Sequence, residues 1–445
     1  MLEEKKTRVV ILGGGFGGAY AAQRLLKKAP GLDVVLIDRH NYLLYYPLLI
    51  EATVGVIEAR HVVVPTRAFL GKRGTILMAE IQGHDPAARS ITFHVDGERD
   101  SRSITYDHLV VGLGSVTRAP DIEGLCDYGF QIKSLGDGIA LRDRAIRLLE
   151  RANLTESPEV RRALLTVVVV GANYTGVEIA GEYAAFLRSA AKSYPALKPD
   201  DVEVLLLERS NRVLPTLDIK LAEYSVRTMT RRGVRVLTDT SVARVGVDHA
   251  MLTTGERVGT YTVVWAAGIA PNPLLRELGL SLNEKGYIRC EPDMHVTDMD
   301  RVWAIGDDAT ILDRNGRPYG ATAQNASRQG PRVADNIIAV INGKPTRPFK
   351  YGALGSFASI GDRMAAAHVL GVNLTGFLGW IIYRGAYLSK FPTFRMKFRL
   401  TLDWIADFLL PYAPAQLGLH RHDAVGSSGS DQALAVSSAS ASKSD

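Results

Sequence analysis

The stretch VVILGGGFGGAYAAQRLL, residues 9–26, decides the fold. Residues 9–12 are continuous and apolar, as in a buried parallel strand, and residues 19–28 continue with helical spacing. Five glycines lie between them within six residues. A second apolar run, DVVLID, follows at 33–38 and ends in an acid. Strand, glycine turn, helix, strand and acid in this order predict a βαβ unit that binds a dinucleotide.

Each residue type in this turn has a physical task. Gly13 permits the tight turn, Gly15 lets the backbone approach a pyrophosphate, and Gly18 lets helix and strand pack closely. The helix N-terminus offers unpaired N–H groups and the positive end of its dipole to the phosphates. Asp38 is expected to accept hydrogen bonds from a ribose. The candidate residues of this first site are Gly13, Gly15, Phe16, Gly17, Gly18, Asp38 and Arg39.

A second apolar run, LLTVVVVGANYTGVEIAGEY at 164–183, predicts a second unit of the same kind. Its following strand, VEVLLLE, ends at Glu208, which would repel a 2′-phosphate and favours NADH over NADPH, although Arg209 and Arg212 lie nearby. The middle glycine is replaced by Asn173, so a βαβ unit that only packs a helix and binds no ligand stays an alternative. The candidate residues here are Gly171, Asn173, Tyr174, Thr175, Gly176 and Glu208.

Composition limits the remaining function classes. The length of 445 residues suggests two or three domains, counting roughly 100–200 residues for each. Cys126 and Cys290 form neither a CxxC motif nor a disulfide framework, and we expect both to be buried. The histidines show no ligand spacing, so no metal is expected, and nucleic acid is not an expected partner. The sequence begins without a signal-peptide core, and no window reaches the roughly 18 apolar residues of a spanning helix.

Two dinucleotide sites in one chain suggest electron transfer, typically from a nicotinamide to a flavin. Three further stretches support this interpretation: YDHLVVGLGS at 106–115, YTVVWAAGIAPNP at 261–273 and TDMDRVWAIGDDA at 297–309. Their order resembles that of flavoproteins with two dinucleotide-binding domains. Within that group the chain is similar to the type II NADH dehydrogenases, single-subunit NADH:quinone oxidoreductases. That likeness rests on HNYLLYYPLL at 40–49, GVEIAGEY at 176–183, TAQNASRQG at 322–330 and the aromatic, basic C-terminus.

The resemblance implies an α/β fold with two Rossmann-like dinucleotide-binding domains, and electron transfer from NADH through FAD to a membrane quinone without proton pumping. We expect residues 1–120 and 290–345 to form the FAD domain and residues 155–285 to form the inserted NADH domain. The family places Tyr45, Tyr46 and Pro47 near the flavin and Glu178 near both flavin and nicotinamide. The further implied residues are Gln324 for catalysis and Gly114, Gly268, Gly306, Asp307 and Ala323 for cofactor binding.

Two features leave alternatives open. The family's quinone-site pattern A-Q-x-A-x-Q has Arg328 in place of its second glutamine, with Gln329 one position later. That departure bears on which quinone is used. Flavin disulfide reductases and sulfide:quinone oxidoreductases need cysteines beside the flavin. Residues 40–60 contain no cysteine, so both classes are excluded. A soluble NAD(P)H-dependent ferredoxin or rubredoxin reductase, and a non-catalytic flavin redox sensor, remain alternatives.

The C-terminal region, residues 346–412, changes character. Residues 377–388 and 396–410 predict two helices, the first interrupted by Arg384. On the second, an apolar face opposes a charged one. Basic residues and two tryptophans favour a peripheral contact of residues 376–412 with the cytoplasmic side of the cell membrane, and core packing or a homodimer through the same surface stays compatible. The apolar face of the second helix is Phe398, Leu402, Ile405 and Leu409, and its charged face is Arg399, Asp403 and Asp407. The basic residues of the region are Lys390, Arg395, Lys397 and Arg399. Trp380 and Trp404 are the expected interfacial anchors. Residues 415–445 are expected to be a disordered tail.

Overall fold

The structure is a computed structural model that describes residues 6–352, 355–410 and 413–418. Most of the predicted disordered tail, from residue 419 onward, lies outside the described residues.

The N-terminal part is built around the predicted strand–turn–helix. Its elements are β1 (Arg8–Leu12), α1 (Phe16–Lys28), β2 (Asp33–Asp38), β3 (Tyr42–Leu44), α2 (Leu49–Val54), β4 (Val63–Pro65), α3 (Thr66–Leu70), β5 (Thr75–Met78), β6 (Glu80–Asp85), β7 (Ser90–His94), β8 (Arg102–Thr105), β9 (His108–Val111) and β10 (Ser115–Thr117). Short 3₁₀ turns cover Tyr46–Leu48 and Ala59–His61.

The middle part contains a second strand–turn–helix unit, β12 to β13. Its elements are α4 (Leu125–Tyr128), β11 (Gly129–Phe130), α5 (Leu135–Leu154), α6 (Pro158–Leu165), β12 (Thr166–Val170), α7 (Tyr174–Ala191), β13 (Glu203–Leu207), α8 (Ile219–Arg231), β14 (Val234–Leu237), β15 (Val242–Val245), β16 (His249–Leu252), β17 (Arg257–Gly259), β18 (Thr262–Trp265) and β19 (Ile269–Pro271).

The chain then returns to the first part and ends in two helices. These last elements are β20 (Ile288–Arg289), β21 (Val302–Ala304), β22 (Ala309–Thr310), α9 (Ala323–Ile341), β23 (Gly355–Ser359), β24 (Ala365–Val369), β25 (Val372–Thr375), α10 (Gly376–Lys390) and α11 (Phe394–Leu409). Strands β23–β25, between α9 and α10, form an antiparallel sheet.

Two five-stranded parallel sheets have matching strand orders. The first is β21-β9-β1-β2-β5 and the second is β11-β18-β12-β13-β14. In the chain, a three-stranded antiparallel sheet is inserted within each: β6–β8 lies between β5 and β9, and β15–β17 lies between β14 and β18. The short strands β10 and β19 pair with each other. The predicted α/β fold class is confirmed. Because the strand orders match, each glycine turn follows the central strand of its sheet, β1 or β12.

Helices α1 and α9 cross closely at a glycine. A Cβ on Gly330 would lie 2.3 Å from the carbonyl oxygen of Gly17 and 2.9 Å from the backbone nitrogen of Ala21. Beside the crossing, the guanidinium of Arg24 donates two hydrogen bonds, of 2.9 and 2.8 Å, to Asp335. The middle of α9 is therefore held against α1.

The C-terminal helix α11 is amphipathic as predicted, and its charged side faces the protein. Asp403 accepts a 2.6 Å hydrogen bond from the ring of His61, and Asp407 lies 3.5 Å from the guanidinium of Arg384. The predicted apolar face is exposed, with Leu402 48% and Ile405 50% accessible. Among residues 6–352, 355–410 and 413–418, no helix combines the length and apolarity needed to cross a bilayer.

The prediction that Trp380 and Trp404 act as interfacial anchors is wrong. Both side chains are buried. Their ring centroids lie 3.9 and 4.8 Å from the guanidinium carbon of Arg384, which is buried between them. A buried guanidinium is stabilised by aromatic rings that lie against it and by acidic side chains that pair with it. Trp380 and Trp404 supply the aromatic rings, and this is why they are buried.

The prediction of two buried cysteines is also wrong in part. Cys290 is half-buried, whereas Cys126 is exposed. Cys126 lies on the four-residue helix α4, which buries only Leu125. So short a helix has one inward side chain, which leaves its neighbour in solvent.

We expect Gly330→Ala to lower the free energy of unfolding by about 1–3 kcal/mol, because the added methyl meets backbone atoms that cannot move aside. The matched control is Gly385→Ala on α10, where a Cβ meets nothing within 4 Å. That change should be neutral or stabilise by up to about 1 kcal/mol through helix propensity. Thermal unfolding of the two variants provides the measurement, and equal melting temperatures would contradict the close crossing.

Candidate active site

The first glycine turn has the geometry of a phosphate-binding loop. Gly13 has φ +95°, and a Cβ there would lie 2.2 Å from the carbonyl oxygen of Gly112. A Cβ on Gly18 would lie 1.9 Å from the oxygen of Gly13. Around Gly15, which precedes Phe16 and Gly17 in the first turn of α1, a Cβ would meet nothing within 4 Å. The start of α1 has no side-chain cap, so no side chain satisfies its first N–H groups.

Asp38 ties this turn to the end of β2. Its carboxylate accepts the N–H of Gly14 at 2.5 Å through one oxygen and the N–H of His40 at 2.6 Å through the other. Arg39 lies exposed beside it. The carboxylate is thus fixed at the mouth of the turn, where a ribose of a dinucleotide would lie.

The second turn repeats this geometry with one substitution. Gly171 has φ +99°, and a Cβ on Gly176 would lie 1.7 Å from its carbonyl oxygen. Asn173, in place of the middle glycine, caps α7: its side-chain oxygen accepts the N–H of Gly176 at 3.1 Å, and its amide donates to the oxygen of Ala266 at 2.8 Å. Asparagine is among the preferred N-cap residues. One N–H of α7 is therefore satisfied by the chain itself.

Glu208 takes the place of Asp38 in the second unit. Its carboxylate accepts the N–H of Ala172 at 2.8 Å and both the N–H and the hydroxyl of Ser210. Arg212 donates to the carbonyl of Leu217. Arg212 is thereby engaged within its own loop, whereas Arg209 lies exposed next to Glu208.

A connected polar group lies where the chain returns to the first site. Ser115 donates to Asp307 at 2.9 Å and accepts from the ammonium of Lys133 at 3.0 Å. Burial lowers the pKa of Lys133, and Asp307 opposes that shift. The hydroxyl of Tyr46 donates to the carbonyl of Lys133, whose ammonium lies 5.4 Å from the tyrosine ring centre. Tyr46 and Asp307 are thus brought together.

Gln329 faces inward and is no substitute for the missing quinone-site glutamine. It is buried, and its side-chain oxygen accepts the N–H of Gly306 at 2.7 Å. Arg328, one position earlier, points another way, with its guanidinium carbon 4.4 Å from the ring centre of Tyr351. The hydroxyl of Tyr351 donates to Gln324 at 3.1 Å. Gln324, Arg328 and Tyr351 therefore form one group at the start of α9, beside Ala323.

Strand β23 links this group to Glu178. At its first residue, the carbonyl of Gly355 accepts from Gln324 at 3.4 Å. At its last, the N–H of Ser359 donates to Glu178 at 3.3 Å. Four residues of strand correspond to about 13 Å. Burial raises the pKa of Glu178 well above its usual range.

Helix α10 closes the site with aromatic side chains. The hydroxyl of Tyr383 donates to the carbonyl of Pro47 at 3.3 Å, and that of Tyr45 donates to the carbonyl of Tyr387 at 3.3 Å. The ring of Phe391 lies 4.3 Å from that of Tyr45. Residues 45–47 are therefore held between the first site and the C-terminal region.

The structure brings most predicted site residues together in two groups. The first contains the first glycine turn, Tyr46, Pro47, Gly306, Asp307, Gln324 and Glu178. The second contains the Asn173 turn, its helix-start residues Tyr174 and Thr175, and Glu208. Gly114 and Gly268 lie at equivalent strand ends, with φ of +72° and +87°. Sequence reasoning missed four residues of the site: Lys133, Ser359, Tyr383 and Tyr387. The one available signal was in α10, where Tyr383 and Tyr387 are polar residues within an otherwise apolar helix.

Comparisons with known proteins agree with this geometry. The sequence profile of the pyridine nucleotide-disulphide oxidoreductases matches residues 7–330, and that of the NDH2 C-terminal domain matches residues 354–411. The type II NADH:quinone oxidoreductase Ndh of Mycobacterium tuberculosis is 30% identical over 421 residues, covering 91% of this chain and 89% of the relative.

The chain belongs to the type II NADH dehydrogenases.

Two further similarities extend across nearly the whole type II NADH dehydrogenase chain. The demethylphylloquinone reductase NdbB of Synechocystis is 27% identical, with 91% of this chain and 97% of the relative covered. The structure of NDH2 from Plasmodium falciparum in complex with NADH superposes with a TM-score of 0.86 at 20% identity, covering 92% of this chain and all of the other. The fold is therefore shared over both glycine turns and the C-terminal region.

The residues present fit FAD in the first site of this type II NADH dehydrogenase. The uncapped start of α1, the open space over Gly15 and the carboxylates of Asp38 and Asp307 suit a pyrophosphate, a ribose and a polyol chain.

We expect the protein to prefer NADH over NADPH, and Glu208→Gln to raise kcat/KM for NADPH relative to NADH by about tenfold, or about 1.4 kcal/mol. The amide keeps an oxygen for the N–H of Ala172, loses the negative charge and no longer accepts the N–H of Ser210. Steady-state kinetics with both coenzymes provide the measurement. An unchanged ratio, with wild-type thermal stability, would remove Glu208 from coenzyme selection.

Proposed function

We propose that this chain is a non-proton-pumping NADH:quinone oxidoreductase that works at the cytoplasmic face of the cell membrane. The observation that carries the proposal is that β23 connects the group at the start of α9 to the half-buried Glu178, on the helix that follows the second glycine turn, beside a C-terminal region with an exposed apolar face. The alternative ferredoxin-type reductase would need no such face.

We propose that residues 1–120 with 290–345 hold FAD and residues 155–285 hold NADH. When bound in the first site, FAD would supply the redox chemistry that couples NADH oxidation to quinone reduction. The chain's own contribution is positioning. Asp38 and Asp307 orient hydroxyl groups, Tyr46 and Pro47 form one wall, and α10 excludes water with Tyr383 and Tyr387.

Helix capping distinguishes the two sites. The start of α1 has no side-chain cap, so removing a bound phosphate would leave its N–H groups without a protein partner. At the start of α7, Asn173 already accepts the N–H of Gly176. We infer that the first site retains its ligand, whereas the second releases its ligand at a smaller free-energy penalty, as turnover of NADH requires.

We propose that the quinone head group approaches the group formed by Gln324, Arg328 and Tyr351. A quinone has two carbonyl acceptors, and Gln324 and Arg328 carry N–H donors. The guanidinium carbon of Arg328 lies 4.4 Å from the ring centre of Tyr351, a cation–π contact that positions the group without using its N–H donors. Where the family pattern has glutamine, this chain therefore offers a fixed positive charge to a reduced, electron-rich ring.

We propose that the exposed faces of α10 and α11 contact lipid. Residues 376–410 expose large apolar side chains that the protein core leaves uncovered: Phe377, Leu378, Ile381, Phe394, Phe398, Leu402, Ile405, Phe408, Leu409 and Leu410. Lys390 and Arg395, also exposed, would each gain roughly 1 kcal/mol near an anionic leaflet. A homodimer through the same face is the alternative occupant.

The function is tested by anaerobic titration of the purified protein with NADH, followed by addition of a soluble quinone. We expect NADH to bleach the flavin spectrum and the quinone to restore it. Glu178→Gln should bind wild-type amounts of flavin and turn over about 10²-fold more slowly, because a positioned proton-exchanging group is lost. Flavin that stays reduced when quinone is added would favour a redox sensor, and wild-type turnover would exclude Glu178 from the mechanism.

Membrane contact is tested by flotation with anionic vesicles. The double variant Leu402→Asp/Ile405→Asp should lose most vesicle binding, because each buried charge opposes insertion by up to about 2.5–3.5 kcal/mol. Leu154→Asp, at an exposed leucine at the end of α5, is the matched control and should float normally. Normal flotation of the double variant would show that this face does not bind lipid. A dimeric wild type with a monomeric double variant would assign the face to a homodimer.

A further inference from the structure

The last described segment of the chain returns to α5. This segment, residues 413–418, follows α11, and we call it the strap. The guanidinium of Arg142, on α5, donates to the carbonyl of Ala413 at 2.8 Å and to that of Ala415 at 3.1 Å. Gly55, at the end of α2, makes room for this guanidinium, since a Cβ there would lie 3.0 Å from two of its nitrogens. Arg142 therefore connects α5, α2 and the strap.

Asp143, the next residue of α5, binds the other half of the strap. Its carboxylate accepts the N–H of Leu417 at 2.9 Å through one oxygen and the N–H of Gly418 at 2.9 Å through the other. Asp143 is only 5% exposed, and among the described residues no other group donates a hydrogen bond to its carboxylate. A buried carboxylate without partners is strongly destabilising. The strap is therefore what makes Asp143 compatible with its place in the fold.

The strap is held through its backbone rather than through its side chains. The side chains of Ala413, Ala415 and Leu417 are exposed, that of Leu417 by 50%. Gly418 has φ +60°, a backbone conformation that glycine adopts without strain. The contact between the strap and α5 is therefore decided by the two adjacent charged side chains of α5, one of which binds carbonyl groups while the other binds N–H groups.

Helix α11, which precedes the strap, is held on the protein by a narrow face. It buries Met396, Leu400 and Trp404, whereas the apolar side chains of its outer face are exposed. The polar contact of Asp403 with His61 adds to this narrow seat. Because a helix in a protein is stabilised mainly by the face that it packs, α11 gains from a contact that fixes the chain beyond its end. The strap supplies such a contact.

The seat of α11 bears on the candidate active site through a series of contacts. Trp404 of α11 donates to Glu51 of α2 at 2.8 Å and lies against the guanidinium of Arg384 of α10. Tyr387, also on α10, provides the carbonyl to which Tyr45 donates. A displaced α11 would therefore loosen the aromatic side chains with which α10 closes the site.

We propose that Arg142 and Asp143 fasten the strap to α5 and thereby keep α10 and α11 seated on the protein while the outer face of α11 contacts lipid. A fastened strap holds the aromatic side chains of α10 over the site, and a released strap lets the two helices move away from it. Arg142 and Asp143 are thus positioning residues that never touch substrate. The effect of the strap on turnover rests on the proposed quinone reduction, and its attachment to α5 does not.

Hydrogen exchange in the full-length holoenzyme tests the attachment. Asp143→Asn keeps the size of the side chain and removes its charge, and we expect it to speed exchange of the Leu417 and Gly418 N–H groups at least about tenfold, as loss of a hydrogen bond to a charged group does. Leu417→Pro removes one of these N–H groups from the strap itself and should speed exchange at Gly418. Leu417→Ala, which keeps the N–H and shortens an exposed side chain, is the matched control and should behave as wild type.

Two further measurements follow the seating of the helices. Acrylamide should quench tryptophan fluorescence more strongly in Asp143→Asn and Leu417→Pro than in the wild type, because Trp404 is buried only while α11 is seated. In the same variants, KM for a soluble quinone should rise about threefold, since apparent affinity falls with the fraction of molecules in the competent state. The rate of NADH oxidation with ferricyanide, a small soluble acceptor, should not change.

Three results would overturn the proposal. Unchanged exchange in Asp143→Asn would show that α5 does not hold the strap. Faster exchange with unchanged acrylamide quenching and unchanged KM would show that the strap does not seat α11. Protection that falls when the wild type is diluted would assign the bound segment to a second copy of the chain. Failure of the proposed function is distinguishable, because the wild type would then not reduce quinone, whereas exchange and quenching would still respond to Asp143→Asn.

Discussion

The structure depends on one interaction used twice, a carboxylate at the end of a strand that accepts the N–H of a neighbouring glycine turn. Asp38 binds Gly14, and Glu208 binds the equivalent Ala172. Each bond fixes the turn between a buried strand and a helix, and it leaves the helix N-terminus facing outward. The matching strand orders of the two sheets follow from this shared core, and the candidate active site lies where the two units meet the C-terminal region.

The nucleotide-binding units could be predicted from sequence because their determinants are local. Glycines with fixed spacing, a buried strand and an acid roughly 20 residues later all lie within one βαβ unit. Even Asn173, which interrupts the glycine pattern, has a local explanation, since asparagine is a good N-cap. These features need no knowledge of what packs against the unit.

The surroundings of the site could not be predicted because they depend on contacts between distant segments. Periodicity located the apolar face of α11 but not the direction in which it points. Arg328 and Gln329 are adjacent in sequence, yet successive residues of a helix point about 100° apart, so one lies on Tyr351 and the other binds the N–H of Gly306. Ser359 reaches Glu182 across 177 positions.

Burial of the tryptophans has an optical consequence. All four indoles of the chain lie inside the protein, at Trp265, Trp303, Trp380 and Trp404. Two of them enclose Arg384, between the C-terminal helices and α2. Intrinsic fluorescence therefore reports whether those helices are seated on the rest of the molecule, and quenchers carried in lipid chains would leave the emission largely unaffected.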